Sequence, residues 1–297
     1  MQPPKLPASD LTPVFPHFRG LHEIGYGGFK TVYKGTVNGV SEVLKVVSIP
    51  APDDPTDKDQ IRFQEECVAR IRREVAILSR CHSPFMVKLG SVPLAEHVIN
   101  GFTYSIYSEE FLDGPDLWTL IKAKGALPTE GEAKQLMRCL LEAIKEIWAM
   151  RFIHRDIKPA NVMKLADPDR PFVLIDLGIA FGLLETGITI QGVPRTNRYL
   201  APEMANPNFR SSLDYRTDLY TTALTVFEYS AGKHPIAEDS DDDMRTISRA
   251  LHQAAKPLQT MRPDFSPAFC QLIDQLLKKK PALRPANLDG LIAQTEI

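Results

Sequence analysis

The sequence has few cysteines, no long apolar run and no excess of charge of either sign. Its 4 cysteines in 297 residues are scattered, without a CxxC pair, which argues against a disulfide framework and against a zinc site. No segment resembles a membrane-spanning helix, and the N-terminus lacks the layout of a secretion signal. The net charge of −2 offers no basic surface for nucleic acid. From these absences we expect a cytoplasmic protein with neither nucleic-acid nor membrane partners.

Hydrophobic residues make up 43% of the chain, and their spacing changes along it. In the first third, short β-type runs broken by glycine predict a meander of hairpins, which one segment of helical periodicity interrupts. We expect strands at Leu21–Gly25, Thr31–Thr36, Glu42–Val47, Val87–Val92 and Tyr104–Tyr107, and a helix from Asp59 to Arg80. After Gly114 the pattern becomes mainly helical. The sequence therefore predicts a β-rich part followed by a helical part.

The helical part carries its own start and stop signals. Thr129 and Glu132 are spaced as a capping box, in which Thr129 caps a helix and Glu132 reaches back to it. We expect a short buried strand at Phe172–Ile175, and helices at Tyr215–Ala231, with Gly232 as C-cap, and near 241–255, 266–279 and 286–296. The first 19 residues are rich in proline and lack periodicity, so an extended arm is predicted there.

A glycine-rich segment, Gly25–Gly28, lies between two predicted strands. Glycine lets backbone amides approach phosphate oxygens, so the segment suits a nucleotide, and a plain hairpin turn is the alternative. The strand that follows argues against a Rossmann motif, which leads into a helix, and the segment lacks the GK[ST] ending of a P-loop. By itself, this segment leaves the function open.

Three further motifs follow in order: HRDIKPAN at His154–Asn161, DLG at Asp176–Gly178 and APE at Ala201–Glu203. Together with the glycine-rich segment and Lys45, they resemble the eukaryotic-type protein kinase superfamily over about residues 21–292. The resemblance implies an α+β, bilobal fold with a small β-rich N-lobe that contains one main helix, and a larger helical C-lobe. The implied divisions are an arm at 1–19 and a kinase domain at 20–297, with N-lobe 20–109, hinge 110–114 and C-lobe 115–297.

The resemblance gives the motif residues of the second half roles in phosphoryl transfer from ATP. Asp156 accepts or orients the proton of the substrate hydroxyl, and Lys158 reaches the transferring γ-phosphate. Asp176 and Asn161 hold Mg²⁺ ions, for which Mn²⁺ can substitute. These roles suit the chemistry, because phosphoryl transfer needs positioning and charge neutralisation more than covalent help.

Lys45 ends a predicted strand and resembles the lysine that grips the α- and β-phosphates. Its partner by resemblance is Glu74 on the predicted helix, where Glu65 and Glu66 are rival candidates. Glu109 falls at the gatekeeper position, which is usually apolar or threonine. A buried carboxylate at that position needs a partner or a raised pKa, unless the alignment is wrong by one residue.

Two further matches are structural. Asp218 resembles the aspartate that braces the catalytic loop through backbone amides, and Arg284 resembles the arginine that pairs with Glu203. A buried ion pair is costly to break on one side. We therefore expect Asp218→Ala and Arg284→Ala to lose stability along with activity.

The implied nucleotide site combines glycines, apolar side chains and hinge backbone. Adenine would bond to the backbone of Glu110 and Leu112, and Asp116 either contacts ribose or a basic peptide residue, or caps the next helix. The residues expected to bind ATP are Ile24, Gly25, Gly27, Gly28, Val32, Val43, Lys45, Glu110, Leu112, Asp116 and Met163.

The implied function is ATP- and Mg²⁺-dependent transfer of phosphate to serine or threonine of a protein substrate, because Lys158 follows the serine/threonine pattern. Thr186 or Thr189 is a candidate autophosphorylation site, and Thr196 matches the substrate-groove threonine. A pseudokinase that binds nucleotide as a scaffold and a small-molecule kinase are the alternatives. The substrate protein and the oligomeric state are unknown.

Overall fold

The structure, a computed structural model, describes residues 3–27, 29–177, 197–205 and 214–296. The chain divides into two compact units. The first comprises Met1–Arg80 and Val87–Leu112, and the second comprises Cys81–Met86 and Asp113–Ile297. In the described ranges, no helix combines the length and the apolar character needed to cross a membrane.

The first unit contains a five-stranded antiparallel sheet in the order β1-β2-β3-β5-β4. Its elements are α1 (Ala8–Leu11), β1 (Arg19–Gly27), β2 (Lys30–Val37), β3 (Val40–Ser48), α2 (Lys58–Leu78), β4 (Ala95–Ile99) and β5 (Phe102–Glu110). Two Asn-Gly pairs, Asn38-Gly39 and Asn100-Gly101, close the β2–β3 and β4–β5 hairpins with positive φ at both residues. Such tight turns match the twist of the flanking strands, and asparagine and glycine tolerate the required backbone.

The two faces of this sheet have different coverings. On one face α2 packs, and its Ile71 joins a cluster with Val47, Ile49 and Tyr107. On the other face the N-terminal residues join the core, in a cluster that includes Leu6, Leu11, Phe15, Phe18, Tyr33, Leu44, Tyr104 and Ile106. The Tyr104 hydroxyl also donates to the Pro4 carbonyl at 2.8 Å. The predicted arm is therefore packed on the sheet, and it is not extended throughout, because α1 forms one helical turn within it.

The predicted strand at Val87–Val92 is wrong as a regular strand. Its backbone bonds to β5, where the Gly90 N–H donates to the Ser108 carbonyl at 2.8 Å. The buried Glu42 carboxylate accepts the Ser108 hydroxyl at 2.7 Å, and a Cβ on Gly90 would lie 2.4 Å from the same carboxylate. This inserted polar group interrupts the ladder, and regular pairing with β5 begins only with β4.

The second unit is mainly helical, with one two-stranded antiparallel sheet of β6 and β7. Its elements are α3 (Leu117–Ala123), α4 (Glu130–Ala149), β6 (Val162–Lys164), β7 (Phe172–Leu174), α5 (Arg216–Ala231), α6 (Asp243–His252), α7 (Leu258–Met261), α8 (Pro267–Leu276) and α9 (Leu288–Ala293). Helix α5 is buried along nearly its whole length, and α4 and α8 pack against it. This buried helix anchors the segments that carry the motifs.

Two helix ends test the predicted capping signals. Gly232 ends α5 with φ of 66°, as predicted, because a left-handed C-cap favours glycine. Thr129 caps α4, and its hydroxyl accepts the Glu132 N–H at 3.3 Å. The predicted return contact of Glu132 is wrong, because its carboxylate instead accepts the Tyr229 hydroxyl at 2.6 Å and pairs with Lys164.

A buried histidine after α5 makes the stability of the fold sensitive to acid. His234 Nδ1 accepts the N–H groups of Ile236 and Ala237, and burial holds the pKa of His234 well below its usual value, an effect that the nearby Arg198 guanidinium reinforces. Below pH about 6.5 the unfolded chain gains a proton at this residue and the folded chain does not, so stability falls with pH.

We expect the free energy of unfolding of the wild type, relative to His234→Asn, to fall by up to about 1.4 kcal/mol per pH unit below pH about 6.5. Asparagine keeps a side-chain acceptor for the two N–H groups but does not titrate. Urea unfolding at pH 7.5, 6 and 5 measures the difference, with pH 7.5 as the reference. A difference that does not change with pH would contradict the expectation.

Candidate active site

The register of the first sheet brings the predicted phosphate-binding residues into one row. Gly25 on β1 is opposite Val32 on β2, Val32 is opposite Lys45 on β3, and Lys45 is opposite Tyr107 on β5. Residues opposite one another in antiparallel strands share a face of the sheet. Because Tyr107 belongs to the cluster under α2, this row lies on the face that α2 covers.

Lys45 lies next to two buried carboxylates on this face. Its Nζ is 2.6 Å from Glu109 Oε1 and 4.0 Å from Glu74 Oε1. The Tyr107 hydroxyl donates to Glu74 Oε1 at 3.2 Å, and the Tyr107 ring centroid is 5.7 Å from Lys45 Nζ. The predicted partner Glu74 is thus close to Lys45, but Glu109 makes the shorter contact.

The remaining predicted nucleotide residues of the first unit lie at the strand ends. Glu110 ends β5, and its N–H donates to the Lys88 carbonyl at 2.9 Å. Val43 and Leu112 are buried, whereas Ile24 is exposed. Gly27 pairs with Lys30 at the end of the β1–β2 ladder, and an added Cβ on Gly27 would meet no atom within 4 Å. Gly28 lies outside the described residues.

In the second unit, the segment between α4 and β6 gathers three predicted catalytic residues. Lys158 Nζ donates to both oxygens of Asp156, at 2.9 and 2.7 Å. Asn161 Nδ2 donates to the Asp156 carbonyl and to Asp156 Oδ2, each at 2.9 Å. The Asp156 carboxylate therefore has a fixed orientation, which a residue that orients a substrate hydroxyl requires.

The buried helix α5 holds this segment in place. Asp218, in the first turn of α5, accepts the N–H groups of His154 and Arg155 at 2.7 and 2.8 Å, as the sequence predicts. Burial raises the pKa of Asp218 to about 7, while the two N–H donors act in the opposite direction. Burial also lowers the pKa of His154 to about 3, so this side chain is neutral and accepts the Asp156 N–H at 3.3 Å.

The two residues expected to hold metal are linked through the backbone. The Ile175 N–H donates to the Asn161 carbonyl at 2.8 Å, which places Asp176 directly after a residue bonded to Asn161. Asp176 and Arg155 have φ of 56° and 69°. Left-handed backbone is unfavourable for residues other than glycine, by roughly 1–3 kcal/mol, and such positions gather at functional sites. The tertiary contacts thus hold both residues in a strained backbone.

Asp116 caps α3, because its carboxylate accepts the Thr119 N–H and hydroxyl, both at 2.8 Å. The capping role that the sequence left open is therefore present, and both carboxylate oxygens take part in it. Met163 pairs with Asp116 in an isolated bridge, so these two predicted nucleotide residues are neighbours. Any contact of Asp116 with ribose would compete with the cap.

The predicted pair of Arg284 and Glu203 is confirmed. Arg284 binds both Glu203 oxygens, at 2.6 and 2.9 Å, and its side chain is fully buried. The same guanidinium donates to the carbonyls of Arg216, Lys278 and Lys279. Arg284 thus ties the APE motif to the start of α5. Thr186, Thr189 and Thr196 lie outside the described residues.

Sequence reasoning missed the contact between Glu109 and Lys45. It identified Glu109 as a buried carboxylate in need of a partner, without finding that partner. A usable signal was present, because Lys45 is opposite Tyr107 and Glu109 is two residues further on β5, on the same face. That signal depends on the strand register, which the predicted strand limits alone do not supply.

Comparison with known proteins gives one family and several relatives. Residues 18–294 match the family described as protein kinase domain. The chain is 30% identical over 285 residues to the serine/threonine-protein kinase pkn3 of Myxococcus xanthus, which covers 92% of this chain and 48% of the relative. It is 35% identical over 275 residues to the dual specificity mitogen-activated protein kinase kinase mek-1 of Caenorhabditis elegans, which covers 92% of this chain and 71% of the relative.

The chain spans less than half the length of several bacterial relatives, with 48% of pkn3 and 37% of a probable serine/threonine-protein kinase of Clostridium perfringens. Among solved structures, the PknI kinase domain of Mycobacterium tuberculosis matches with a TM-score of 0.62 and 21% identity, covering 94% of this chain and 97% of that chain. Rad53 1-466 in complex with AMP-PNP matches with a TM-score of 0.68 and 21% identity, covering 94% and 65%. At these identities the likeness concerns the fold.

Proposed function

The chain belongs to the protein kinase domain family, and from this premise we propose that it is a serine/threonine protein kinase that uses ATP and Mg²⁺. The family and the α+β fold class predicted from the motifs are thereby confirmed. The observation that best supports an active enzyme is the contact set of Asp156 with Lys158 and Asn161. A scaffold that only binds nucleotide has no need of an oriented carboxylate in this place.

The residues of the second unit support the following mechanism. The substrate hydroxyl oxygen attacks the γ-phosphorus of ATP, the bond from that phosphorus to the β,γ-bridging oxygen breaks, and ADP leaves. Asp156 orients the hydroxyl and takes its proton. Lys158, 2.7 Å from Asp156, adds a positive charge where negative charge develops on the transferring group. In the first unit, Lys45 is the residue proposed to grip the α- and β-phosphates.

The donor set fits a hard divalent cation. Asn161 uses its NH₂ group to bond Asp156, so its amide oxygen is the atom that serves as a ligand, and Asp176 adds a carboxylate. Oxygen ligands of this kind are preferred by Mg²⁺ and accepted by Mn²⁺. When bound, the ion neutralises charge on the phosphates.

Serine or threonine is the proposed acceptor because of Lys158 and because the curated relatives carry that name, among them pkn3. The dual-specificity name of mek-1 keeps tyrosine as a second acceptor to test. Autophosphorylation at Thr186 or Thr189, an unidentified protein substrate and a cytoplasmic location stay predictions from the sequence.

The test is transfer of labelled γ-phosphate from ATP to a generic protein acceptor, with and without Mg²⁺, followed by phosphoamino-acid analysis. We expect phosphoserine or phosphothreonine, no label after chelation of the metal, and partial recovery with Mn²⁺. Label on tyrosine as well would assign dual specificity. Nucleotide binding without any transfer would favour the pseudokinase alternative, and label only on a small-molecule alcohol would favour the other.

A further inference from the structure

Lys45 has an anchor on its own sheet. We propose that Glu109, and not only the helix residue Glu74, positions Lys45 for the phosphates of ATP. The proposal rests on the proposed function, and it assigns a role to the residue at the gatekeeper position. Because β3 and β5 are paired strands, this anchor holds Lys45 independently of α2.

The distances favour the strand carboxylate. Lys45 Nζ lies 2.6 Å from Glu109 Oε1, within the range of a charge-assisted hydrogen bond, and 4.0 Å from Glu74 Oε1, beyond that range. Glu109, Lys45 and Glu74 are 2%, 4% and 6% exposed. At such burial the Coulomb attraction is little screened, so the nearer carboxylate dominates the orientation of the ammonium group.

The sheet dictates this geometry. In the β3–β5 ladder Lys45 is opposite Tyr107 and Val43 is opposite Glu109, so Glu109 is the diagonal neighbour of Lys45 on the same face. Diagonal neighbours are about 7–8 Å apart at Cα, which the long side chains of lysine and glutamate span. The ladder runs unbroken from Glu42↔Glu110 to Ser48↔Tyr104, and this fixes the spacing.

The hydrogen-bonding capacity of lysine allows two anchors and a ligand together. An ammonium group has three N–H donors, so Glu109 takes one while others serve Glu74 and a phosphate oxygen. Glu74 is also held by the Tyr107 hydroxyl at 3.2 Å. A displacement of α2 that removes Glu74 would therefore leave Lys45 with its shorter contact.

The test compares Glu109→Gln with Glu74→Gln in the full chain, with steady-state kinetics at varied ATP. Both changes remove a charge and keep the side-chain size. We expect Glu109→Gln to raise KM for ATP by about tenfold or more, since a hydrogen bond to a charged group contributes that much, and Glu74→Gln to raise it less than about threefold. The exposed Glu96→Gln on β4 is the matched control and should leave KM unchanged.

A merely structural role is separated by two further measurements. Glu109→Asp keeps the charge and is expected to recover part of the KM effect, whereas the melting temperature alone would report packing. In a Glu109→Leu background, Glu74→Gln is expected to become costly, by about tenfold or more in KM, because Lys45 then has only the helix carboxylate of the two.

The pairing is also measurable without nucleotide. Double-mutant cycles on unfolding, with Lys45→Met against each glutamine variant, should give a larger coupling for Glu109 than for Glu74. If the wild type transfers no phosphate, the proposed function fails while these cycles still decide the pairing. A KM effect of Glu74→Gln equal to or greater than that of Glu109→Gln, or a lower KM in Glu109→Gln, overturns the proposal.

Discussion

Replacing Asp156 by asparagine is expected to lower kcat by about a hundredfold to ten-thousandfold, the range that general acid–base groups contribute. Asparagine has the size of aspartate but takes no proton from the substrate hydroxyl, and the ion pair with Lys158 is lost. The Asn161 bond to the backbone carbonyl at 156 does not depend on the carboxylate, so the segment keeps its shape. ATP should therefore still bind.

The measurement pairs kcat on a protein acceptor with the dissociation constant of an ATP analogue. Asp169→Asn is the matched control, because Asp169 is an exposed aspartate of the same unit. It should leave both quantities unchanged. If Asp156→Asn retained kcat within about threefold of the wild type, the proposed role of Asp156 would be wrong.

Removal of the Arg284 side chain is expected to have the largest effect on stability. In Arg284→Ala, Glu203 is left as a half-buried carboxylate without its bidentate partner, and three backbone carbonyls lose a donor. Breaking a buried pair on one side costs about 3–5 kcal/mol. We expect a loss of that order in the free energy of unfolding, and a loss of activity with it, because Glu203 and the start of α5 are no longer held together.

Urea or thermal unfolding measures this loss. Arg245→Ala, at an exposed arginine of α6, is the control and should change stability by less than about 0.5 kcal/mol. Arg284→Lys tests geometry against charge, because lysine keeps the charge but lacks the planar fork that binds a carboxylate through two bonds. A melting temperature of Arg284→Ala equal to that of the wild type would refute the structural role.

Much of the candidate site was predictable because its parts are short contiguous segments. Asp156, Lys158 and Asn161 lie within six consecutive residues, so their mutual contacts follow from local backbone. The Arg284–Glu203 contact was also predicted, although the two residues are 81 positions apart, because each belongs to a recognisable motif. The metal pair Asn161 and Asp176 stays a proposal that metal binding must test.

Local signals were reliable where one residue type satisfies one backbone requirement. Gly232 ends α5 in the left-handed region, and Thr129 caps α4, as predicted. The prediction failed for Glu132, whose carboxylate is taken by Tyr229, 97 residues further along the chain. It failed also for Val87–Val92, where the buried Glu42 interrupts the pairing with β5. In both cases a long-range polar contact outweighs the local pattern.

The sequence by itself determined the family, the order of β-rich and helical parts, and the residues that carry the proposed chemistry. The tertiary structure decided which carboxylate contacts Lys45 and where the N-terminal residues pack. Glu109 is 64 residues from Lys45, and only the register of β3 against β5 brings their charges to 2.6 Å. Hydrophobic burial is non-directional, so the pattern that makes Leu11 and Phe15 apolar does not say which face of the sheet they cover.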